Sequence, residues 1–329
     1  MTLKRIVSFL AKYQLGLIIL MLGLGMLFPS FFKPLNPYNG TFLQIIMFAT
    51  GLRLDFSEVF RELKDWRTLA VSNGMMMIGI PVLISIPLNW FAPDWILPFV
   101  ISASMPTGLT APIIINILGG RTSLALLMSV STAIVAPITI PLVLQFLAGE
   151  SVTVNVFTMM WEITTVIVIP LALAGFIQKR VGNKRIEYYG TAISLSNVAA
   201  FAFVVASIAA ASFGNGGGTT AANITMDGLI IAVLMMVFWL GIAWLSTSAL
   251  TWRSKKDRLT ITFCLIYMSY ALSLWVADEF FHQTFIAPKL IAIVILIYAL
   301  FPVFGAIFPR YAKTAAKKLP SGYHEITHA

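Results

Sequence analysis

Apolar runs follow one another along almost the whole chain, and each is close to the length that a helix needs to cross a bilayer. A hydrocarbon core about 30 Å thick takes about 20 residues of helix. Ten such runs lie at roughly 14–32, 40–56, 68–91, 95–118, 121–148, 153–178, 188–213, 226–250, 258–281 and 286–309. With 59% hydrophobic and 11% charged residues, the chain also departs from the composition of soluble proteins. The sequence therefore predicts an all-α polytopic membrane protein with ten transmembrane helices.

The fourth run carries helix breakers where a membrane helix should be continuous. Pro106, Gly108 and Pro112 interrupt the first half of the apolar stretch 103–141. Backbone groups freed by such a break find no partner in hydrocarbon, so a break is tolerated where it lines a cavity within the protein. We therefore expect span four to be a broken helix that contributes to a binding site.

The fifth run presents one narrow, partly hydroxylated helix face. Its small residues recur at spacings of three and four, at Ala125, Ser129, Thr132 and Ala136. The two hydroxyls, with backbone carbonyls between 107 and 111, could hold a cation. The half-helix ends near 107–112 could offer N–H groups to an anion, because a helix N-terminus attracts negative charge. Helix packing is the alternative role of the small face.

Basic residues occupy alternate loops. Of the 22 Lys and Arg residues, all except Lys33 and Lys289 fall at the N-terminus, in the second, fourth, sixth and eighth connections, or in the C-terminal tail. Because basic loops stay on the cytoplasmic side, both termini are predicted to be cytoplasmic, in a plasma membrane of the bacterial inner-membrane type. Membrane orientation accounts for the net charge of +9, and we expect the lipid bilayer, and no nucleic acid, as a partner.

The same alternation divides the spans into two halves of five. We expect one transmembrane domain over 1–312, with a first repeat at about 1–150 and a second at about 151–312, followed by a polar cytoplasmic tail at 313–329. Because five is odd, the second half enters the membrane from the opposite side. Inverted repeats of this kind are typical of secondary transporters, whose substrate sites lie between the repeats.

Several motifs, in order, resemble those of the bile acid:sodium symporter family. The segment 44–67 is similar to the second span and following loop of that family, and 106–141 to its broken helix and the A-P-x-x-x-P end of span five. Further matches are Ile169-Pro170 with Gly175, Lys179-Arg180, Asp257-Arg258 and Ala287-Pro288. The resemblance implies a core and a panel domain, with broken helices crossing at spans four and nine. It also implies sodium-coupled uptake of organic anions such as bile acids by alternating access.

The family's sodium ligands fall mostly on residues without side-chain oxygen. Its span-four Ser-Asn pair, its span-three Gln, and its span-nine Glu, Gln and Asn correspond here to Ala111, Pro112, Met76, Cys264, Met268 and Ser269. The span-five hydroxyl is kept by Ser129. Hard cations require oxygen ligands, whereas sulfur is soft. Sodium thus remains a possible coupling ion by resemblance, and coupling to a proton or to no ion is the alternative.

Glu162 is the one carboxylate that the sequence places deep inside a span, about 15 Å below its outer end. An ionisable group at that depth marks an ion, proton or substrate path, and a hydrogen-bonded packing role is the alternative. The candidate ion-binding residues are therefore Ser129, Thr132, Glu162, Thr110, Cys264 and Met268. The candidate substrate-binding residues are Thr107, Gly108, Pro112, Asn116, Asn197 and Ser269.

Two other classes of protein are weaker alternatives. An enzyme would need a nucleophile with a base or a metal cluster, but the chain has one cysteine, and its three histidines lie at an outer loop or in the tail. We expect no enzyme, no cofactor and no metal site. A ligand-binding sensor derived from a transporter is the other alternative. Substrate identity, direction of transport and oligomeric state stay open.

Overall fold

A computed structural model describes residues 14–54, 66–148, 155–213, 226–281 and 286–307. These segments are helical, and no β-strand occurs among them. In chain order the α-helices are α1 (Gln14–Leu27), α2 (Pro29–Phe32), α3 (Asn39–Gly51), α4 (Trp66–Phe91), α5 (Ile96–Ala103), α6 (Ala111–Leu118), α7 (Thr122–Ala148), α8 (Val156–Val181), α9 (Asn183–Tyr188), α10 (Gly190–Phe213), α11 (Met226–Ser248), α12 (Lys255–Cys264), α13 (Tyr270–Phe281) and α14 (Ala287–Ile307). Short 3₁₀ turns cover Lys33–Tyr38 and Pro93–Trp95.

Five of the described helices are long and apolar enough to cross a membrane, or six if a bent pair forms one span. The pair consists of Gly16–Leu27 and Pro29–Gly51, which meet at an angle of 98°. The prediction of an all-α polytopic membrane protein is therefore confirmed. The count of ten spans and the two repeats stay predictions, and the predicted tail at 313–329 lies outside the described residues.

The helices pack in two neighbouring groups. In the first, α10 packs along α1 and α3, and α3 packs against α8. In the second, α7 is the central helix and contacts α4, α5, α6 and α12, while α11 and α14 complete the group. Helices α8, α13 and α14 contact members of both groups, and α8 packs directly on α7. Two-thirds of the apolar window of α7 is buried (67%), against 33–39% for the other candidate spans. Small residues along α7 permit this close approach of neighbours.

Two of the long helices widen for a single π turn, and each π turn is followed by a proline. In α4 the turn covers Met75–Gly79 and precedes Pro81, and in α8 it covers Thr164–Val168 and precedes Pro170. Proline has no N–H and clashes with the carbonyl one turn earlier, so the helix cannot continue its regular hydrogen bonds there. The π turns keep both helices continuous through these prolines.

Candidate functional site

Two helices are interrupted within apolar spans. The first interruption lies between the end of α5 at Ala103 and the start of α6 at Ala111, and the second between Cys264 of α12 and Tyr270 of α13. In the first, Pro106 lacks an N–H group, and both the amide and the hydroxyl of Ser104 donate to the carbonyl of Val100. Helix α6 then starts with proline in its first turn, a position that proline favours.

The two interrupted segments pair with each other. The Gly108 amide donates to the Tyr267 carbonyl at 2.9 Å, and the Ser269 amide donates to the Pro106 carbonyl at 2.9 Å. Thr107 and Met268 form an isolated antiparallel bridge between these bonds. Backbone groups that hydrocarbon cannot satisfy are thereby satisfied by the other break. We call the paired segments, residues 104–110 and 265–269, the crossing.

Thr107 brings several predicted site residues together. Its amide donates to the Thr132 hydroxyl at 3.2 Å. Its own hydroxyl lies 3.1 Å from Met76 Sδ and 3.2 Å from the Cys264 carbonyl oxygen. All four residues are buried. The structure therefore assembles Thr107, Thr132, Cys264 and, across the bridge, Met268 around one point, with Met76 as a fifth member.

Gly108 is required at the crossing because Tyr267 lies against it. A Cβ atom at position 108 would lie 2.7 Å from Tyr267 Cε1. The Tyr267 ring stacks on Phe263, and its hydroxyl hydrogen-bonds that of Thr110 at 2.7 Å. The Ser129 hydroxyl lies 3.4 Å from the Gly108 carbonyl oxygen and donates to Ala125 of its own helix at 2.9 Å.

Sequence reasoning missed two aromatic residues that fix the crossing. Tyr267 holds Thr110 and Gly108, and the indole N–H of Trp239, on α11, donates to the Leu265 carbonyl at 3.1 Å. Both side chains are buried. The available signal was the residue type, because a Tyr or Trp inside an apolar span needs a partner for its polar tip.

The donor set at the crossing does not fit a sodium site built from side chains. One atom at the Thr107 hydroxyl is a sulfur, Met76 Sδ, and Ala111 and Pro112 add no side-chain oxygen. The side-chain oxygens here are the hydroxyls of Thr107, Ser129 and Thr132, beside backbone carbonyls such as that of Cys264. Sodium is a hard cation that needs several oxygen ligands, so three hydroxyls without a carboxylate or amide supply only part of a site.

Partial exposure separates two polar residues from the rest of the crossing. Thr110 and Ser269 are half-buried, whereas Thr107, Gly108, Pro112, Cys264 and Met268 are buried. Both lie immediately before a helix, because α6 begins at Ala111 and α13 at Tyr270. The positive ends of two helix dipoles therefore both point toward the crossing, beside its half-buried residues Thr110 and Ser269.

Three predicted residues lie elsewhere. Asn116 is exposed near the C-terminal end of α6. Asn197 donates to the Thr50 hydroxyl at 2.6 Å, which joins α10 to α3. Glu162 is half-exposed on α8, where the charge of Glu279 acts on it. Since a helix rises about 1.5 Å per residue, Glu279 lies about 15 Å along α13 from the crossing.

A charged network holds the ends of the broken helices that lie away from the crossing. Asp257, at the start of α12, is buried and lies 3.6 Å from Arg121 and 3.5 Å from Arg253. The Arg121 amide also donates to the Thr260 hydroxyl at 2.8 Å, and Arg253 donates to Thr68 on α4. These bonds link α12 to the connection between α6 and α7, and to α4.

Comparison with known proteins gives one family. Residues 13–310 match the SBF-like CPA transporter family. No curated protein matches the chain.

Proposed function

Because the chain belongs to the SBF-like CPA transporter family, we propose that it is a secondary active transporter that moves a small or amphipathic organic anion by alternating access. The single observation that best supports this proposal is the backbone pairing of two interrupted helices through Gly108–Tyr267 and Pro106–Ser269. Broken helices in transporters place helix ends and free backbone groups at the substrate site.

The proposed substrate site is the half-buried edge of the crossing. An anionic headgroup would lie between the N-terminal ends of α6 and α13, in contact with Thr110 and Ser269. Thr107, Gly108 and Pro112 form the floor of this site and position those helix ends. An apolar or amphipathic remainder of the substrate suits the surrounding apolar helices.

The two helix groups are the proposed moving parts. We assign α1, α3, α8 and α10 to a panel domain and the helices around α7 to a core domain, as the resemblance implies. The protein would lie in the plasma membrane with both termini in the cytoplasm, and the repeats would meet near residue 150.

The coupling ion is proposed from the donor set. Sodium coupling follows from resemblance to the bile acid:sodium symporters, but Met76 Sδ beside Thr107 and the lack of side-chain oxygen at Ala111 and Pro112 favour the alternative of coupling to protons or to no ion. Glu162 is the proposed proton-carrying group, because it is a half-buried carboxylate within a membrane-spanning helix.

Counterflow in sealed vesicles tests the proposal. Purified protein is reconstituted with an unlabelled organic anion inside, and a panel of labelled bile acids and smaller carboxylates is supplied outside. We expect exchange of at least one of these anions and slower exchange in Ser269→Ala, which keeps the backbone bond from position 269 to the Pro106 carbonyl. Binding without counterflow would instead indicate a ligand-binding sensor. Neither binding nor exchange of any anion would contradict the proposed substrate class.

A further inference from the structure

A cavity beside the crossing opens on the membrane-facing side of the second helix group. Its volume is about 400 Å³, within the range of small-molecule sites. It lies between α4, α11 and α12 and is lined by Gly74 and Ile78 of α4, by Thr247 and Leu250 at the end of α11, and by Leu265 of the crossing. It belongs to none of the contacts described for substrate.

The entrance of this cavity is apolar and exposed. Val71 and Ile78, both lining residues, are 48% and 51% exposed. In an integral membrane protein, exposed apolar side chains within a span face the hydrocarbon of the bilayer. The cavity therefore opens to lipid chains, and an acyl chain suits its lining.

A basic residue lies at one end of the same helix face. Arg67, Val71, Gly74 and Ile78 follow one another at spacings of three and four along α4, so that Arg67 continues the cavity-lining face by one turn. Arg67 is exposed and its guanidinium lies 5.8 Å from the ring centroid of Trp66, which is also exposed. Aromatic and basic side chains at a span end mark the headgroup region.

Two further basic residues lie near the start of α4. The hydrogen bond from Arg253 to Thr68 joins the start of α4 to the turn before α12, where Lys255 and Lys256 are exposed. Basic groups concentrated at a membrane surface attract anionic lipid headgroups. The apolar groove and the basic end therefore follow one another along α4, in the same order as the acyl chain and the headgroup of a phospholipid.

We propose that this cavity binds one anionic phospholipid, with an acyl chain between α4 and α11 and the phosphate at Arg67. The acyl chain would contact Leu265, whose carbonyl accepts the Trp239 hydrogen bond at the crossing. A bound lipid would thus stabilise the second helix break, at residues 265–269, from the membrane side. The proposal does not depend on the identity of the transported anion.

Native mass spectrometry of lipid retention tests this site. The protein is released from nanodiscs that contain equal amounts of phosphatidylglycerol and phosphatidylcholine, and retained lipid is counted. Gly74→Leu places a side chain in the cavity, and a Cβ at position 74 meets no atom within 4 Å, so the backbone accommodates it. Gly241→Leu is the matched control, because this exposed glycine of α11 also has open space and does not line the cavity.

We expect the wild type and Gly241→Leu to retain one phosphatidylglycerol, and Gly74→Leu to retain about tenfold less. Arg67→Gln, an exposed substitution that folding tolerates, should lower retention about fivefold, since one surface cation contributes about 1 kcal/mol. Equal retention of phosphatidylcholine would overturn the proposal. So would unchanged phosphatidylglycerol retention in Arg67→Gln, or in folded Gly74→Leu.

Discussion

Thr107 and Met268 face each other across an antiparallel backbone bridge, 161 positions apart in the chain and each in the middle of an interrupted helix. The amides on either side, from Gly108 and Ser269, donate across the bridge at 2.9 Å. Each break therefore satisfies the backbone groups of the other. Changes that separate the two segments should affect both helices together, and the predictions below follow from that dependence.

Substituting Gly108 by Ala should destabilise the crossing. The new Cβ would lie 2.7 Å from Tyr267 Cε1, and the ring is held by Phe263 and Thr110. Overpacking of this kind costs about 1–3 kcal/mol. Thermal unfolding in detergent measures the effect, and Gly74→Ala, where the Cβ meets open space, is the control. Equal melting temperatures for the two variants would contradict the close approach of Tyr267.

Removing the hydroxyl of Thr132 should leave the Thr107 amide without an acceptor. Thr132→Val keeps the shape of the side chain, whereas Thr132→Ser keeps the oxygen that lies 3.2 Å from that amide. A buried N–H left unsatisfied costs about 1–3 kcal/mol. We expect the valine variant to unfold at lower denaturant concentration than the serine variant. The opposite order would show that methyl packing, and not the hydrogen bond, governs this position.

Two buried tryptophans should respond differently to replacement by Phe. The Trp239 indole donates to the Leu265 carbonyl at the crossing, whereas the Trp275 indole nitrogen has no hydrogen-bond partner. Trp239→Phe loses a hydrogen bond of about 1 kcal/mol in addition to packing, and Trp275→Phe loses packing alone. Denaturant midpoints should therefore fall further for Trp239→Phe. A larger fall for Trp275→Phe would count against the role of Trp239.

Replacing Asp257 by Asn should loosen the network at the far ends of the broken helices. The carboxylate is buried between Arg121 and Arg253, and the amide removes the negative charge that both cations contact. We expect the free energy of unfolding to fall by about 1–3 kcal/mol. Most of this fall comes from the contact with Arg253, because Arg121 is more exposed to solvent. Asp227→Asn, at an exposed helix start, is the control for unfolding measurements. An equal fall in the free energy of unfolding for Asp257→Asn and Asp227→Asn would argue against the network.

Residue types alone suggested an interruption in span four, whereas a crossing with span nine was expected only from the family resemblance. Pro106 and Gly108 limit helix geometry locally, so the interruption of span four could be inferred from residue types alone. The second break contains neither Gly nor Pro. Its stability comes from bonds to residues 106 and 108, and no local pattern encodes a contact between segments so distant in sequence.

The residues of the candidate site could likewise be predicted only in part. Thr107, Thr132, Cys264 and Met268 were named from their positions, and the structure brings them to one point. Tyr267 was passed over because an aromatic residue in an apolar span resembles ordinary core. The position of Glu162 relative to α13 depends on how α8 packs, which helix periodicity does not specify.

The most direct measurement of the central claim is accumulation of the transported anion in sealed vesicles under an imposed gradient of either sodium or protons. We predict counterflow without any gradient and no accumulation driven by sodium. We also predict that any accumulation driven by protons disappears in Glu162→Gln while counterflow persists. Accumulation that rises with the sodium gradient, or the absence of flux for every anion tested, would contradict the account.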